Sequence, residues 1–249
     1  MNSEMARTAR EQPRGRVYSF IVPAHDEAAL IGGTLAALQA AANDLQLDHE
    51  IIVVDDASTD ATAAIAREAG ARVLQVDHRH IAATRNAGAS VANGDRLVFV
   101  DADTWVDVTV LAAAVTAMDG GAIGGGCAVR LHGNARPVEK LFAALVMRMF
   151  RLTRIAPGCF VFCTRTAFDT AGGFDESLYA AEDVALSRTL ARHGRFMILR
   201  ESVSTSDRKL RTFGVAEHLR LMAQVAFRGR RALRSREQLG LWYDKRRHH

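Results

Sequence analysis

Three groups of acidic residues stand out in the first half of the chain: Asp26-Glu27, Asp55-Asp56, and the closely spaced Asp101 and Asp103. Each group follows a short run of β-branched or aromatic residues (18–22, 51–54 and 97–100), which is typical of a buried parallel strand. Acids at the carboxyl ends of adjacent parallel strands meet at one edge of the sheet, where open α/β folds bind ligands. Crowded carboxylates repel one another unless a cation or hydrogen-bond donors hold them. The pattern therefore predicts a binding site at this edge.

Strand and helix patterns alternate through the first hundred residues. Helices are predicted over 28–42 and 81–91, and another, capped by Ser58 or Asp60, is expected to end at Gly70. A further strand is predicted over 72–76. This alternation indicates an α/β fold, with a Rossmann-like, mainly parallel sheet flanked by helices.

The second half of the chain is less regular. The glycines at 124–126 indicate a strand with close backbone approaches. An amphipathic helix is predicted over 138–154; it could pack on the core, meet a lipid surface or contact a second subunit. A strand over 158–164 and a turn over 172–176 precede a helix that opens at Glu182-Asp183.

Bulk composition narrows the class of protein. The 249 residues are 49% apolar, enough for one large domain, and no uninterrupted apolar run of about 18 residues predicts a spanning helix. Residues 1–16 carry four arginines and are expected to form a flexible tail. The three cysteines do not make a disulfide framework, so we expect buried thiols, a reducing compartment and a cytoplasmic location.

Positive charge is concentrated near the end of a chain whose net charge is +4. The segment 208–236 has nine Lys or Arg residues against one Glu. It is either a solvated helix face or a contact with an anionic partner, such as the inner face of a membrane. Nucleic-acid binding is not expected, because only Phe213 and Phe227 interleave with these charges, at spacings that suit a packed helix.

Six motifs in register carry a family resemblance: 21–27, 53–60, 83–88, 101–103, 172–175 and 182–183. Together they resemble the family-2 glycosyltransferases over roughly residues 17 to 200. The resemblance implies a GT-A fold, a nucleotide-sugar donor, Mn²⁺ or Mg²⁺ as cofactor, and inversion at the anomeric carbon. It divides this region into a nucleotide-binding half (17–104) and an acceptor half (105–200), followed by a basic helical extension (201–249). The stretch 203–209 is similar to a small soluble bacterial subgroup.

Two departures from the family pattern have consequences. Ala57 and Ala61 stand where the family often has glycine, which predicts that neither position needs a positive φ. The Gln-X-X-Arg-Trp signature of processive synthases is missing around 238–242. A non-processive enzyme that transfers a single sugar is therefore expected.

The resemblance and the chemistry of the leaving diphosphate suggest the metal ligands. A hard divalent cation suits carboxylate and phosphate oxygens and can neutralise the departing diphosphate. Asp103 is the first choice as ligand, and Asp101 either shares the metal or binds a hydroxyl of the donor. The alternative is that both acids cap the helix that starts near Asp107.

The donor nucleotide is assigned to residues that match the family motifs. The resemblance implies that Asp56 accepts a hydrogen bond from the nucleobase, most commonly uracil, although Asp56 could also cap the helix near Ser58. Pro23, Ala24 and Glu27 are expected to line the first loop beside the nucleoside.

Two of these assignments have structural alternatives. Glu27 could instead be a first-turn acid that complements the dipole of the following helix. Arg85 is placed facing the nucleotide, where it would hold the diphosphate or form a structural ion pair with one of the acids.

The resemblance assigns the catalytic base to Asp183, which would take the proton of the acceptor hydroxyl in a single displacement. Its position at a helix N-terminus predicts a carboxylate that is ionised at neutral pH, and a plain N-cap is the alternative. Glu182 is expected to orient loops or the acceptor, which is a small or lipid-linked molecule. Two other functions stay open: a polyprenyl-phosphate glycosyltransferase at the membrane surface and a non-catalytic nucleotide-sugar-binding module.

Overall fold

The computed structural model describes residues 16–132 and 155–206, together with Leu145 and Arg148. The predictions made for the tail 1–15, for most of the helix 138–154, for the basic segment 208–236 and for residues 238–242 therefore lie outside the described residues.

The described residues form eight strands and six helices. The strands are β1 Val17–Ala24, β2 Asp48–Asp56, β3 Arg72–Val76, β4 Arg96–Val100, β5 Thr104–Trp105, β6 Gly124–His132, β7 Phe160–Thr164 and β8 Phe196–Ser206. The helices are α1 Ile31–Asp44, α2 Thr62–Glu68, α3 Ile81–Val91, α4 Val108–Asp119, α5 Arg165–Ala171 and α6 Glu182–His193. Every strand predicted within the described residues is present, and α3 has the predicted bounds.

All eight strands belong to one sheet, in the order β3-β2-β1-β4-β7-β6-β8-β5. The first four strands in this order run parallel, as predicted. Beyond β4 the sheet is mixed: β7 runs antiparallel to both β4 and β6, whereas β6 and β8 run parallel. Strand β8 continues past residue 200, pairing with β6 up to Ser206.

The core lies on both faces of the sheet. Phe20 and Val22 of β1 point to one face, where α1, α2 and α4 pack, and Ile21 points to the other, where α3, α5 and α6 pack. All three side chains are fully buried, as expected for a parallel strand covered on both sides. The two helical layers hold the sheet rigid and leave the loops at its carboxyl edge to carry polar groups.

The glycines of β6 allow the close approaches that the sequence predicts. A Cβ on Gly125 would collide with the carbonyl oxygen of Met197 and the ring of Phe162, and one on Gly126 with the Cβ of Ala156. Strands β7 and β8 can therefore pair on either side of β6 with the ring of Phe162 packed across it.

The cysteines are free and serve as packing groups. Cys127 and Cys163 are buried and Cys159 is half-buried. Burial raises the pKa of both buried thiols to about 12, which keeps them protonated and unreactive. None of the helices within the described ranges is long and apolar enough to cross a bilayer.

Candidate active site

The acidic groups meet at the carboxyl edge of the parallel strands, as predicted. Asp55 and Asp56 are the last residues of β2, and Ala24, at the end of the neighbouring strand β1, is in register with Asp55. Asp101 follows directly after β4, the other neighbour of β1. One edge of the sheet thus gathers carboxylates from loops that are far apart in sequence.

Asp56 organises the loop that leads into α3. Its Oδ1 accepts hydrogen bonds from the N–H groups of His78 (2.7 Å) and Arg79 (2.8 Å). Its Oδ2 accepts from the N–H of His80 (3.1 Å) and from the hydroxyl of Thr84 (2.7 Å). The alternative expectation, that Asp56 caps the helix near Ser58, is wrong because these four bonds hold the carboxylate against the loop before α3 instead. Its contact with a nucleobase stays a prediction.

The loop after β1 is held by the loop after β2. The N–H of Asp26 donates to the hydroxyl of Ser58 (3.0 Å), and Oδ1 of Asp26 accepts from the N–H of Thr59 (2.6 Å). Burial alone would raise the pKa of Asp26, but the bonds from Thr59 lower it. The N–H of Glu27 donates to Thr62 (2.8 Å). These contacts make the two loops one unit.

The positions of Pro23, Ala24 and Glu27 in the structure differ from those that the sequence predicts. Pro23 and Ala24 are the final residues of β1 rather than loop residues. Glu27 is buried but does not lie in the first turn of α1. That alternative is wrong because the chain first makes a turn in which the N–H of Leu30 donates to the carbonyl oxygen of Glu27 (3.0 Å), and α1 begins only at Ile31. The N-cap of α2 is Ala61, so neither Ser58 nor Asp60 is the capping residue that the sequence predicts, although Asp60 accepts from the N–H of Thr62 (2.9 Å) at the start of the helix.

Ala57 contradicts the prediction that its position avoids a positive φ. Its φ is 55°, whereas φ at Ala61 is −78°. The chain must turn sharply out of β2 while the N–H of Ala57 still donates to the carbonyl of Val76 (2.9 Å). For alanine the left-handed region costs about 1–2 kcal/mol. The site loop therefore stores backbone strain.

The acids after β4 do not cap α4. Asp107 does so, because its Oδ1 accepts from the N–H groups of Thr109 and Val110, both at 3.0 Å. Asp103 is buried, and its Oδ1 lies 3.4 Å from the hydroxyl of Thr205 at the end of β8. The alternative assignment of Asp101 and Asp103 to helix capping is therefore wrong.

The donor groups around Asp103 fit a hard divalent cation. They are carboxylate and hydroxyl oxygens, with no sulfur or imidazole ligand required. Within residues 16–132 and 155–206, no three His, Cys, Asp or Glu side chains converge on one point. A cation held by Asp103 would complete its coordination with phosphate oxygens or water.

Arg85 forms the structural ion pairs that the sequence left as its alternative role. It is buried, with Nη1 donating to Oε1 of Glu182 (2.6 Å) and Nη2 donating to Oδ1 of Asp101 (2.8 Å). Nη2 also donates to the carbonyl of Gly158 (2.9 Å). The guanidinium lies 5.2 Å from the ring centre of Phe174. Despite desolvation, the adjacent carboxylates raise the pKa of Arg85, so it stays charged.

Asp183 lies in the first turn of α6, beside this ion-pair cluster. It is partly buried, and its Oδ1 accepts from the N–H of Val184 (2.7 Å). Desolvation first, and then the negative charge of Glu182, raise the pKa of Asp183 to about 7, although Arg85 and the N–H of Val184 oppose the shift. Burial therefore outweighs the helix dipole and acts against the ionised carboxylate that the helix position predicts. The α6 N-cap is Ala181, so Asp183 is not the N-cap either.

Asn86, next to Arg85 on α3, anchors the turn before α6. Its side-chain N–H₂ donates to the carbonyl of Phe174 (2.9 Å), and its Oδ1 accepts from the N–H of Phe174 (2.9 Å). Gly172 and Gly173 have φ of 78° and 74°, and a Cβ on Gly173 would lie 2.8 Å from Oδ1 of Asn86. The predicted turn is thus present, and α3 holds it against the sheet.

The structure also brings in residues to which the sequence gave no site role. Gly158 contacts both Arg85 and Asp183, yet in the sequence it only marks the start of a strand. The position of Thr205 beside Asp103 could not be inferred from the sequence, because it depends on the pairing of β8 with β5.

Comparisons with known proteins agree with this architecture. Residues 19–168 match the family described as "Glycosyl transferase family 2". The chain is 36% identical over 89 residues to validoxylamine A glucosyltransferase of Streptomyces hygroscopicus, and 40% identical over 86 residues to a TPR repeat-containing protein of Synechococcus elongatus. These matches cover 33% and 34% of this chain, but only 21% and 20% of the relatives.

Solved structures share the fold at low sequence identity. The mannosyltransferase PcManGT of Pyrobaculum calidifontis, in complex with GDP-Man and Mn²⁺, has a TM-score of 0.62 and 19% identity, over 94% of this chain and 72% of that one. Staphylococcus aureus TarS 1–349, in complex with UDP-GlcNAc, has a TM-score of 0.59 and 19% identity, over 92% and 76%. Glucosyl-3-phosphoglycerate synthase of Mycobacterium tuberculosis has a TM-score of 0.60 and 22% identity, over 85% and 80%.

The sheet order, the acids at its carboxyl edge and these likenesses define an α/β protein with the GT-A fold. The family match covers more than half of the chain, so this chain belongs to glycosyl transferase family 2 and is classed with the glycosyltransferases.

Proposed function

We propose that this protein transfers a single sugar from a nucleotide-sugar donor to an acceptor hydroxyl, with inversion at the anomeric carbon. The observation that carries the proposal is the placement of Asp183. Its carboxyl group, whose pKa is raised to about 7, lies beside the buried ion pairs that Arg85 makes with Asp101 and Glu182, and Asp101 is at the edge of the sheet where the other acids gather. A general base is most effective when its pKa is close to the working pH.

The donor would lie along the carboxyl edge of β1, β2 and β4. Asp56, Glu27, Pro23 and Ala24 border the space proposed for the nucleoside, with uracil as the favoured base. A nucleotide-sugar donor is supported by the UDP-GlcNAc and GDP-Man complexes of the structural relatives.

Asp103, with Asp101 nearby in the chain, would hold Mn²⁺ or Mg²⁺ against the diphosphate. When bound, the cation would neutralise the charge that develops on the departing nucleoside diphosphate. Asp103 suits this role because it is buried and its carboxylate accepts a long hydrogen bond (3.4 Å) from the hydroxyl of Thr205.

Asp183 would complete the reaction on the acceptor side. The acceptor oxygen attacks the anomeric carbon, the bond from that carbon to the diphosphate oxygen breaks, and Asp183 takes the hydroxyl proton. A single displacement of this kind inverts the anomeric configuration.

The test is calorimetric titration with UDP and GDP, with and without Mn²⁺, on wild type and on Asp103→Ala. We expect one nucleotide to bind in a metal-dependent manner, and Asp103→Ala to weaken that binding by at least tenfold. Asp119→Ala is the matched control, because Asp119 pairs with Arg16 just before β1, away from the acids. Absence of nucleotide binding to the wild type would refute the proposed function.

A further inference from the structure

The cluster around Arg85 joins parts of the chain that are distant in sequence. Asp101 follows β4, Glu182 begins α6, and Gly158 precedes β7. All three accept hydrogen bonds from one guanidinium, whose side chain is only 3% exposed. Asp101 is fixed further, because its backbone N–H donates to the carbonyl of Cys159 (3.1 Å).

These bonds use both terminal nitrogens of Arg85. Both terminal nitrogens point to protein acceptors, and the buried Nε atom has no hydrogen-bond partner among the residues that the structure describes. A guanidinium that clamps a diphosphate would have to present a pair of N–H groups to the phosphate oxygens. Arg85 instead directs one N–H of each terminal nitrogen to a carboxylate, that of Glu182 and that of Asp101.

Asp183 lies against the same cluster. A Cβ on Gly158 would be 2.9 Å from Oδ2 of Asp183 and 3.3 Å from Nη2 of Arg85. The carboxylate and the guanidinium therefore flank the same glycine. Because Glu182 is adjacent to Asp183 at the start of α6, the bond from Arg85 to Glu182 also fixes the backbone from which Asp183 projects.

We propose that Arg85 is a positioning residue that joins the loop of Asp101 to the start of α6, and so fixes Asp183 relative to the donor edge without contacting the donor. This inference rests on the proposed function. A planar guanidinium is required, because an ammonium group cannot hold acceptors in a fixed fork geometry.

The experiment separates donor affinity from turnover. Affinity is measured by calorimetry with UDP and GDP in the presence of Mn²⁺. Turnover is measured as release of nucleoside diphosphate from UDP-glucose, UDP-N-acetylglucosamine and GDP-mannose, with water in place of the acceptor. The variant is Arg85→Lys, which keeps the charge that a phosphate ligand needs but loses the fork.

We expect Arg85→Lys to bind nucleotide within about threefold of wild type, while turnover falls by about a hundredfold, since a misplacement of 1 Å has that effect. Arg165→Lys is the matched control, because Arg165 also donates to several groups, the carbonyls of Ala89, Ala92 and Gly94, and these lie at the other end of α3. The control should lose stability but keep its turnover per folded molecule.

Two results would overturn the inference: nucleotide affinity that falls as much as turnover, or turnover that is unchanged. If Arg85→Lys does not fold, Glu182→Gln answers the same question, because it keeps an acceptor for Nη1 but removes the ion pair. It should lower turnover and leave nucleotide affinity intact, and the opposite pattern would contradict the proposal. A wild type that binds no nucleotide would instead refute the proposed function itself.

Discussion

The carboxylate of Asp183 lies so close to Gly158 that a methyl group added at this glycine would be 2.9 Å from Oδ2. A real Cβ almost never comes so near to another heavy atom, so a side chain at 158 would force the carboxylate of Asp183 to shift. The contact joins the segment before β7 to the start of α6 and defines where the proposed base can lie.

Gly158→Ala should therefore displace Asp183. We expect turnover to fall by roughly ten- to a hundredfold, and stability by about 1–3 kcal/mol because the site is overpacked. Nucleotide release and thermal unfolding measure the two effects. Gly32→Ala is the control, since its Cβ would lie 3.5 Å from Ile65, an ordinary contact, and it should be neutral or slightly stabilising. Equal effects of the two substitutions would contradict the steric argument.

Asp183→Asn should abolish proton transfer while leaving the donor site intact. The expected loss of turnover is about 10²- to 10⁴-fold, the range that a general base supplies, with nucleotide affinity nearly unchanged. Asp169→Asn, an exposed position on α5, removes the same charge away from the site and should retain full turnover. A variant at 183 that keeps wild-type turnover would exclude this residue as the base.

The pH dependence of wild-type turnover follows from the same group. Because the pKa of Asp183 is raised to about 7, turnover should fall roughly tenfold per pH unit below that value as the base becomes protonated. A pH series of initial rates, limited to the range in which the protein stays folded, measures this. Turnover that stays constant down to pH 5 would be inconsistent with a base of near-neutral pKa.

The free energy of unfolding should change with pH in the direction opposite to turnover, because it should decrease as the pH rises. The pKa of Asp183 is raised from 3.8 to about 7 on folding, so between these values the folded state binds more protons than the unfolded state, and stability falls as pH rises. Asp183→Asn removes this penalty, and should be more stable than wild type by about 1–3 kcal/mol above pH 7. Urea unfolding at pH 4 and pH 8 tests this: the difference between the two proteins should grow towards pH 8.

Ala57→Gly should stabilise the protein. The relief of the left-handed strain at φ 55° is worth about 1–2 kcal/mol, and the greater freedom of glycine in the unfolded chain offsets about half of it. We expect a net gain of about 0.5–1 kcal/mol in urea unfolding. Ala64→Gly, inside α2 and exposed, should lose about 1 kcal/mol instead. A destabilised Ala57→Gly would show that the strain argument is wrong.

The scaffold was largely predictable because its signals are local. Runs of β-branched residues indicate buried strands. Such runs end at or just before Asp55, Asp56 and Asp101. Because the strands are parallel, these three acids are expected to lie at the same edge of the sheet. The start of α6 at Glu182 was also predictable from the sequence, since acidic residues are favoured in the first turn of a helix.

Other features depend on contacts that no local pattern encodes. The partners of Arg85 are 16, 73 and 97 residues away in sequence, and burial of Asp183 reverses the effect that its helix position alone would have on its pKa. At Ala57 the residue type suggested a relaxed backbone, but the turn out of β2 prevailed over the intrinsic preference of alanine. Sequence periodicity indicates which elements form, whereas charge pairing and strain emerge from how those elements pack.

The continuity of the sheet limits how this protein could be divided or recombined. Strand β4 is paired on one side with β1 and on the other with β7, which comes from the second half of the chain. A fragment ending near residue 104 would expose the backbone edge of β4 and invite edge-to-edge association. A chimera that exchanges residues 105–200 with the corresponding segment of a relative must therefore preserve the register of β7 on β4, from Arg96–Thr164 to Val100–Phe160.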